Sequence, residues 1–298
     1  MKHLSNSLIK SFIVLLALFC STSTLQATEV QLRQNGIVYF IWYETDNHGN
    51  ITVTNCYVGG HDPELSGNII IPSNVTYEEK QGSRGKKFTV TADVREIGNG
   101  VFSNCKGLTG ITIPPTIQRI GDSFTGCTNL KSISLPSSVT QIGSDIFLNC
   151  TSLETATMSN VEAIPTNAFY NCTSLKHFTI PESVSTIGVY AFCNCTGLES
   201  VTIGEHVTEI SSCAFMKCSS LTEVSIPSSV ELIDYGAFFE CFNLETINSY
   251  SPTPPECRDF DAKILEKATL HVPVGADKIY SKTYPWKNFK HIIADLQP

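Results

Sequence analysis

The chain has 298 residues and a formal net charge of −8, with 20 lysines and arginines against 28 acidic residues. This length allows one large domain or two ordinary ones. An acidic chain without a dense basic stripe is a poor candidate for binding nucleic acid or an anionic membrane, so the composition argues against both partner classes.

The first 27 residues have the pattern of a secretory signal peptide. Lys2 and Lys10 flank a polar start, Phe12–Phe19 is a short apolar core, and Ala27 is a small residue at a cleavage position. No later stretch is long and apolar enough to cross a bilayer, so we expect no transmembrane segment. We expect residues 1–27 to be removed, the mature chain to begin near Thr28, and the protein to be exported.

Residues 28–67 are predicted to form an N-terminal β-hairpin cap. The stretch from Asn35 to Gly60 has the pattern of two β-strands joined by the polar turn at 46–50. The basic cluster from Lys80 to Lys87 contains two glycines, which is typical of a solvated hairpin tip rather than of a phosphate site.

From Leu108 onward the sequence repeats itself every 22 or 23 residues. Six consecutive segments share the pattern Leu-x-x-Ile-x-Ile-Pro-x-x-Val-x-x-Ile-Gly-x-x-x-Phe-x-x-Cys-x-x, and a seventh begins at Leu244. A degenerate earlier copy is split into two halves around the basic cluster. One unit cannot bury its own apolar edge, but stacked units can cover one another, so the pattern predicts a solenoid over residues 68–248.

The elements of one coil follow from the spacing of its apolar residues. Alternation from Leu130 to Leu135 predicts a short strand that pairs in parallel with its neighbours, about 4.8 Å away. Val139 and Ile142 indicate a second short extended element. Phe147 and Cys150 are three residues apart, which predicts one helical turn with both side chains pointing inward.

One cysteine recurs in each coil, and three interpretations compete. Zinc would require Cys-x-x-Cys or mixed Cys/His clusters, whereas the chain offers only Cys193-x-Cys195. Disulfides between neighbouring coils need Cβ atoms closer together than parallel stacking places them. Removal of Cys20 with the signal peptide also leaves eleven cysteines, an odd number, so at least one has no disulfide partner within the monomer. We favour small buried side chains for the ladder. The ladder positions are Cys105, Cys127, Cys150, Cys172, Cys195, Cys218 and Cys241, while pairing among Cys56, Cys193, Cys213 and Cys257 stays open.

The repeated pattern, with its Ile-Pro, Val, Ile-Gly, Phe and Cys positions, resembles the BspA-type leucine-rich repeat. The resemblance covers about Asn68 to Ile247, and residues 249–298 resemble the closing segment of that family. It implies an α/β fold: a right-handed leucine-rich-repeat solenoid with a short parallel β-sheet, about seven coils and β-rich caps at both ends. The only tryptophans, Trp42 and Trp286, are expected in the cores of these caps.

The sequence shows no catalytic motif. Metal-ligand histidine spacing, a Gly-x-Ser-x-Gly elbow and a phosphate-binding glycine loop are all missing, so we expect no enzyme, no cofactor and no metal site. The outward strand positions extend from Gly110 and Thr112 to Thr246 and Asn248, and they include the candidate ligand-binding residues. These candidates are Ser132, Ser134, Thr155, Thr157, His177, Thr179, Ser200, Thr202, Glu223 and Ser225.

These outward residues have two interpretations. Hydroxyl side chains suit exposed strands and stabilise a sheet through cross-strand pairs, which needs no ligand. They also form an uncharged hydrogen-bonding surface for a sugar or a peptide, which would bind weakly or multivalently because it has no aromatic anchors.

We therefore expect an exported, non-catalytic binding protein whose partner is an unidentified protein or glycan. The resemblance implies adhesion to host protein, matrix or other cells at the cell surface or outside the cell. The alternatives are a structural or accessory protein of the envelope in the periplasm, and a carbohydrate-binding protein.

Overall fold

The computed structural model of the chain describes residues 14–16, 26–45, 51–62, 64–80 and 87–297. Most of the predicted signal peptide, the turn at 46–50 and the basic turn at 81–86 lie outside the described residues. Within the predicted signal peptide, residues 14–16 and 26–27 lie in strands, and cleavage near Thr28 stays a prediction. No helix in the described ranges has the length and apolar composition that crossing a bilayer requires.

Short strands dominate the secondary structure. In chain order, the elements are β1 Val14–Leu16, β2 Gln26–Gln34, β3 Ile37–Thr45, β4 Ile51–His61, β5 Gly67–Ile70, β6 Asn74–Lys80, β7 Lys87–Asp93, β8 Glu96–Ile97, β9 Leu108–Thr112, β10 Arg119–Ile120, β11 Ser132–Ser134, β12 Gln141–Ile142, β13 Thr155–Thr157, β14 Ala163–Ile164, β15 His177–Thr179, β16 Thr186–Ile187, β17 Ser200–Thr202, β18 Glu209–Ile210, β19 Glu223–Ile226, β20 Leu232–Ile233, β21 Thr246–Ser249, β22 Glu256–Cys257, α1 Ala262–Lys267, β23 Thr269–Pro273, α2 Asp277–Tyr280, a 3₁₀ turn Trp286–Asn288 and β24 His291–Leu296.

The N-terminal end is an antiparallel meander of β1 to β4. The predicted pairing of β3 with β4 is confirmed. The sequence interpretation missed β2, which pairs antiparallel with β3. Asn35-Gly36 between them is a strong hairpin signal, and both residues have positive φ, 51° and 75°. Tyr39 and Ile41 on β3 are buried, whereas Trp42 on the opposite face is only partly buried, so its expected place in the cap core is wrong.

Two series of parallel strands run along the solenoid. Ladder A consists of β5, β9, β11, β13, β15, β17, β19, β21, β23 and β24, whose successive members pair or lie in contact. Ladder B begins where β4 pairs in parallel with β8, and it continues to β10 and β12. The series then resumes as a separate sheet of β14, β16, β18, β20 and β22. Hairpin β6–β7 is the insertion between the halves of the first coil. The solenoid prediction is thus confirmed.

The solenoid has about nine turns, against the seven predicted. The additional turns come from the two ends of the chain. At the start, β5 pairs with β9, and at the end β23 pairs with β21 and β24 with β23, all in parallel. The C-terminal cap is therefore partly a continuation of ladder A. The expected boundaries at residues 67/68 and 248/249 stay predictions.

A column of stacked phenylalanine rings fills the interior. Neighbouring ring centroids lie 5.1 to 6.4 Å apart. His61 stacks on the first ring at 5.6 Å, and Trp286 meets the last ring edge-on at 5.1 Å. We call the rings the phenylalanine column: Phe102, Phe124, Phe147, Phe169, Phe192, Phe215, Phe238 and Phe260.

The third side of each coil consists of hydrogen-bonded turns. Phe147 and Cys150 point inward as predicted, but the helical turn expected between them is wrong. Asn149 has a φ of 61°, which a right-handed helix does not allow. The Phe147 amide instead donates to the Ala168 carbonyl of the next coil at 2.9 Å. Asparagine tolerates this backbone conformation. The side-chain amide of Asn171 also donates a hydrogen bond to the side-chain oxygen of Asn149 at 2.9 Å.

The C-terminal cap contains α1, α2 and the 3₁₀ turn as well as strands, so it is less β-rich than predicted. Trp286 is fully buried, as expected, and its indole donates to the Pro255 carbonyl at 3.0 Å. Because its ring closes the phenylalanine column, the apolar end of the solenoid is covered at this point.

Candidate functional site

The predicted ligand-binding residues all lie on the outward face of ladder A. We call these residues, from Ser132 to Ser225, the polar strip. Strand alternation explains the arrangement, because Ile133, Phe178 and Val224 between them point inward and are buried. All strip residues are exposed except Ser225, which is half-buried.

Strand register places the strip residues directly beside one another. Ser132 lies opposite Thr155, and Ser134 lies opposite Thr157. The same alignment pairs His177 with Ser200, and Thr179 with Thr202. The structure thus brings the predicted residues together into one continuous surface.

Hydrogen bonds join some neighbours within the strip. The Thr157 hydroxyl donates to the Ser134 hydroxyl at 2.9 Å, and His177 Nδ1 lies 2.8 Å from the Ser200 hydroxyl. These bonds support the interpretation in which the hydroxyls stabilise the sheet. Thr179 and Thr202, in contrast, are exposed without a side-chain hydrogen bond in the described structure, so their hydroxyls are free to contact a ligand.

A shallow depression of about 440 Å³ lies at the N-terminal end of the strip. Its walls include Ser132, Ser134, Thr155 and Thr157 from the predicted set. Asn68, Gly110 and Thr112 complete its polar lining. A side chain at position 110 would meet the Asn68 amide oxygen at 2.9 Å from its Cβ, so the glycine keeps this end open.

The polar face continues beyond the predicted residues into the C-terminal cap. Asn248 donates to Glu223 at 2.7 Å and to Ser225 at 3.2 Å. Next to Asn248 in the sheet lies His271, whose Nδ1 is 2.9 Å from the Asp295 carboxylate. Sequence reasoning missed His271 and Asp295. The alternation of Leu270-His271-Val272, which matches the repeat strands, is the signal that indicates this continuation.

The ladder cysteines have a structural role that burial alone does not describe. Six of the seven thiols donate to the carbonyl of a phenylalanine one coil earlier, as Cys172 does to Phe147 at 3.2 Å. The same bond recurs at Cys127, Cys150, Cys195, Cys218 and Cys241, with lengths of 3.0 to 3.2 Å. Cys105, in the first coil, donates to the Leu65 carbonyl at 3.3 Å.

Burial raises the pKa of six of these thiols, to about 12 for Cys127; the six are Cys105, Cys127, Cys150, Cys172, Cys195 and Cys218. They are therefore protonated at neutral pH and are poor nucleophiles and metal ligands. The cysteines in the described ranges are all free thiols, including Cys56, Cys193, Cys213 and Cys257. No cluster of three or more His, Cys, Asp or Glu side chains in these ranges has the geometry to hold a metal ion.

Comparison with known proteins agrees with the repeat pattern. The family described as "BspA type Leucine rich repeat region" matches residues 80–196 and 154–254, with six copies. The chain belongs to this family. The resemblance inferred from the sequence is thus confirmed, and the matched region contains the whole polar strip. No curated protein matches the chain.

Solved structures with the same repeat fold come from several bacteria. A leucine-rich cell surface protein from Faecalibacterium prausnitzii is 24% identical, with a TM-score of 0.60 over 82% of this chain and 70% of that one. A leucine-rich repeat protein from Eubacterium ventriosum is 27% identical, with a TM-score of 0.54 over 66% of this chain and 49% of that one. A leucine-rich repeat protein from T. pallidum is 25% identical, with a TM-score of 0.53 over 68% of this chain and 86% of that one.

Proposed function

We propose that the protein is an exported, non-catalytic binding protein that uses the polar strip to hold a protein ligand during adhesion. The ligand is a host protein, a matrix protein or the surface of another cell. The observation that carries this proposal is the strip itself. Its side chains are exposed, most of them are uncharged and carry a hydroxyl group, and they are aligned from coil to coil. Such a surface offers many donors and acceptors but few charges.

The strip favours many modest contacts over one strong contact. The strip contains no Phe, Tyr or Trp side chain of the kind that anchors most tight interfaces. His177 and Glu223 are the titratable members of the strip, and they break its uniformity. An extended ligand that lies along several coils fits this arrangement best, because each coil adds a small increment of affinity.

A location at the cell surface is part of the proposal. Its support is the signal-like sequence of residues 1–27 and the similarity to a protein described as a cell surface protein. Protease treatment of intact source cells tests the location. We expect the protein to be lost from sealed cells, whereas protection until the envelope is opened would place it in the periplasm and remove the adhesion hypothesis.

A glycan is the second candidate ligand. The depression of about 440 Å³ at the N-terminal end of the strip favours it, because its lining combines hydroxyl and amide groups with two isoleucines and contains no charged side chain. Panels of matrix proteins and glycans, screened with the full chain, distinguish the two ligand classes.

Matched variants test the strip once a ligand has been found. Thr179→Lys and Thr202→Lys place a bulky charge on the strip, and Thr140→Lys makes the same change at an exposed site near ladder B. We expect at least a tenfold loss of affinity for the strip variants and no change for the control. Equal affinity of all three variants and the wild type would exclude the centre of the strip as the binding site.

A further inference from the structure

One segment of the C-terminal cap, residues 274–291, differs in charge from the chain as a whole. Residues 274–291 contain four lysines and one aspartate, although the chain as a whole has a net charge of −8. Exposed apolar side chains lie among these lysines: Val274, Ile279 and Tyr284 have 65%, 41% and 61% of their surface accessible. This combination of positive charge and exposed apolar surface distinguishes the cap from the repeats.

Two buried aromatic residues fix the backbone of this segment. The Tyr280 hydroxyl is hydrogen-bonded to the Ser249 hydroxyl at 2.7 Å and to the Ser251 carbonyl at 3.0 Å. The Tyr280 ring meets the buried ring of Trp286 edge-on at 5.4 Å. Both rings are buried and so attach the segment to the cap, whereas Lys282 and Tyr284, which lie between them in the chain, are exposed.

The exposed side chains come from one short stretch of chain, residues 278–287, which turns back on itself. The Lys282 amide donates to the Ile279 carbonyl at 3.1 Å, and the Lys287 amide donates to the Thr283 carbonyl at 2.8 Å. These bonds fold the segment into consecutive turns. The group that they present is Lys278, Ile279, Lys282, Tyr284 and Lys287, which we call the cap platform.

The lysines of the cap platform have no ion-pair partner among the described residues. Lys290, just outside the platform, is hydrogen-bonded to Glu266, and Lys267 pairs with Glu245 at 2.9 Å. Lys278, Lys282 and Lys287 are exposed and form no such pair. Asp277 is the one acidic residue of the segment and forms no ion pair with these lysines in the described structure, so three lysine charges remain available to an anionic partner.

We propose that the cap platform docks on the anionic headgroups of a lipid surface. Lysines are attracted to such a surface over about 8–10 Å, and tyrosine and isoleucine side chains enter the headgroup region. The apolar side chains among the lysines favour a lipid surface over a nucleic acid. The net negative charge of the chain argued against binding to anionic membranes. That net charge is a sum over the whole chain and does not show that this one segment is positively charged.

Docking through the cap platform orients the molecule. The contact lies at the β24 end of ladder A, so the strands of the polar strip from β11 to β17 are removed from the lipid surface. The acidic remainder of the chain is repelled by the same headgroups, which favours contact through this end alone. The inference does not depend on the function proposed for the strip.

Vesicle co-sedimentation of the full chain tests the proposal. The probes are vesicles of phosphatidylcholine alone and of an equimolar mixture with phosphatidylglycerol. We expect binding to the anionic vesicles to be about a hundredfold stronger than to the neutral ones, and to weaken as salt is added. Equal binding to both vesicles, or binding to neither, would overturn the proposal.

Two matched variants locate the contact. The triple variant Lys278→Gln/Lys282→Gln/Lys287→Gln removes the platform charges, and Lys106→Gln/Lys131→Gln/Lys176→Gln removes the same number of exposed lysines from the repeats. We expect only the first to lose at least tenfold in vesicle binding, with both variants unfolding like the wild type. Equal loss in both variants contradicts a contact at the cap.

Inorganic phosphate distinguishes a lipid surface from a site for free phosphate. At constant ionic strength, we expect millimolar phosphate to leave vesicle binding unchanged, because the platform has no enclosed pocket for one ion. Displacement by phosphate would show a discrete phosphate site instead and would overturn the proposal for a surface.

Discussion

The phenylalanine column and the polar strip both repeat once per coil, but they repeat in different ways. The column uses the same ring at every level, and the thiol beside it makes the same bond from Cys127 to Cys241. The strip keeps its positions but changes its residues, with His177 and Glu223 among hydroxyls. The interior thus specifies the fold by repeating the same phenylalanine ring and cysteine thiol. The residues of the strip can change without altering that interior packing.

Truncation of one ring should have the largest effect. Phe192 is fully buried and stacks on Phe169 and Phe215, so Phe192→Ala leaves a cavity and should lower the free energy of unfolding by about 3–5 kcal/mol. The matched change is Phe239→Ala, at a ring that is 40% exposed, which should cost about 1 kcal/mol or less. Urea unfolding followed by circular dichroism measures both, and similar losses would contradict the special role of the column.

Close backbone packing between coils should be the next most sensitive feature. A Cβ at Gly197 would lie 2.4 Å from the Thr173 carbonyl oxygen, so Gly197→Ala must push two coils apart and should cost about 1–3 kcal/mol. Gly60→Ala, where the nearest atom is 3.8 Å away, serves as the control and should leave stability nearly unchanged. A stable Gly197→Ala protein would indicate that the coils are loosely packed.

High pH should destabilise the interior through its thiols. Burial raises the pKa of Cys127 from 9.0 to about 12, so in this range the unfolded thiol ionises and the folded thiol does not. The stabilisation is complete below pH 9 and is lost as pH rises toward 12. Between pH 7 and pH 10, this one thiol should account for about 1.4 kcal/mol of the lost stability.

The variant Cys127→Ala isolates that contribution. Its unfolding free energy should fall less between pH 7 and pH 10 than that of the wild type, by the same 1.4 kcal/mol. Urea unfolding at both pH values in the presence of a reductant measures the difference. An identical pH dependence of the two proteins would mean that this thiol is not buried from solvent.

Substitutions on the strip should have the smallest effect on stability. Thr179→Lys should change the free energy of unfolding by no more than about 0.5 kcal/mol, because the side chain is exposed and has no hydrogen-bond partner in the described structure. Thermal unfolding measures this change, and a loss comparable to that of a buried ring would show that the strip is part of the structural core. Stability and ligand affinity would then be coupled rather than separate.

The positions of the repeated residues were predictable from the sequence, because the same residue type recurs at the same place in successive coils and each copy supports the same assignment. The buried faces, the parallel strands, the inward cysteines and the outward strip residues all followed from the spacing of Leu, Ile, Phe and Cys. The thiol bond to the phenylalanine carbonyl did not follow, because sequence spacing does not show which backbone group a side chain reaches across coils.

The ends were less predictable because they occur once. His61 takes the place of a phenylalanine ring at the first level of the column, yet nothing in the sequence around it resembles the repeat. The strand β23 was foreseeable from its alternation, but its place beside β21 depends on how α1 redirects the chain. The helical turn predicted at Phe147 failed because the left-handed conformation of Asn149 is a property of the stacked coils.

The phenylalanine column repeats the same ring at each coil, so the column itself carries no mark of how many levels the molecule contains. The one addition among the described residues is Phe178, whose ring packs beside those of Phe169 and Phe192. If one complete coil were removed, the two coils brought together would again stack one phenylalanine ring on another. The cysteine thiol of one coil would again donate a hydrogen bond to the phenylalanine carbonyl of the coil before it. Along the column, in the part of the chain that the structure describes, only His61 at one end and Trp286 at the other differ from phenylalanine. Length can therefore change in steps of one coil during evolution, and the reach of the surface changes with it while the interior stays the same.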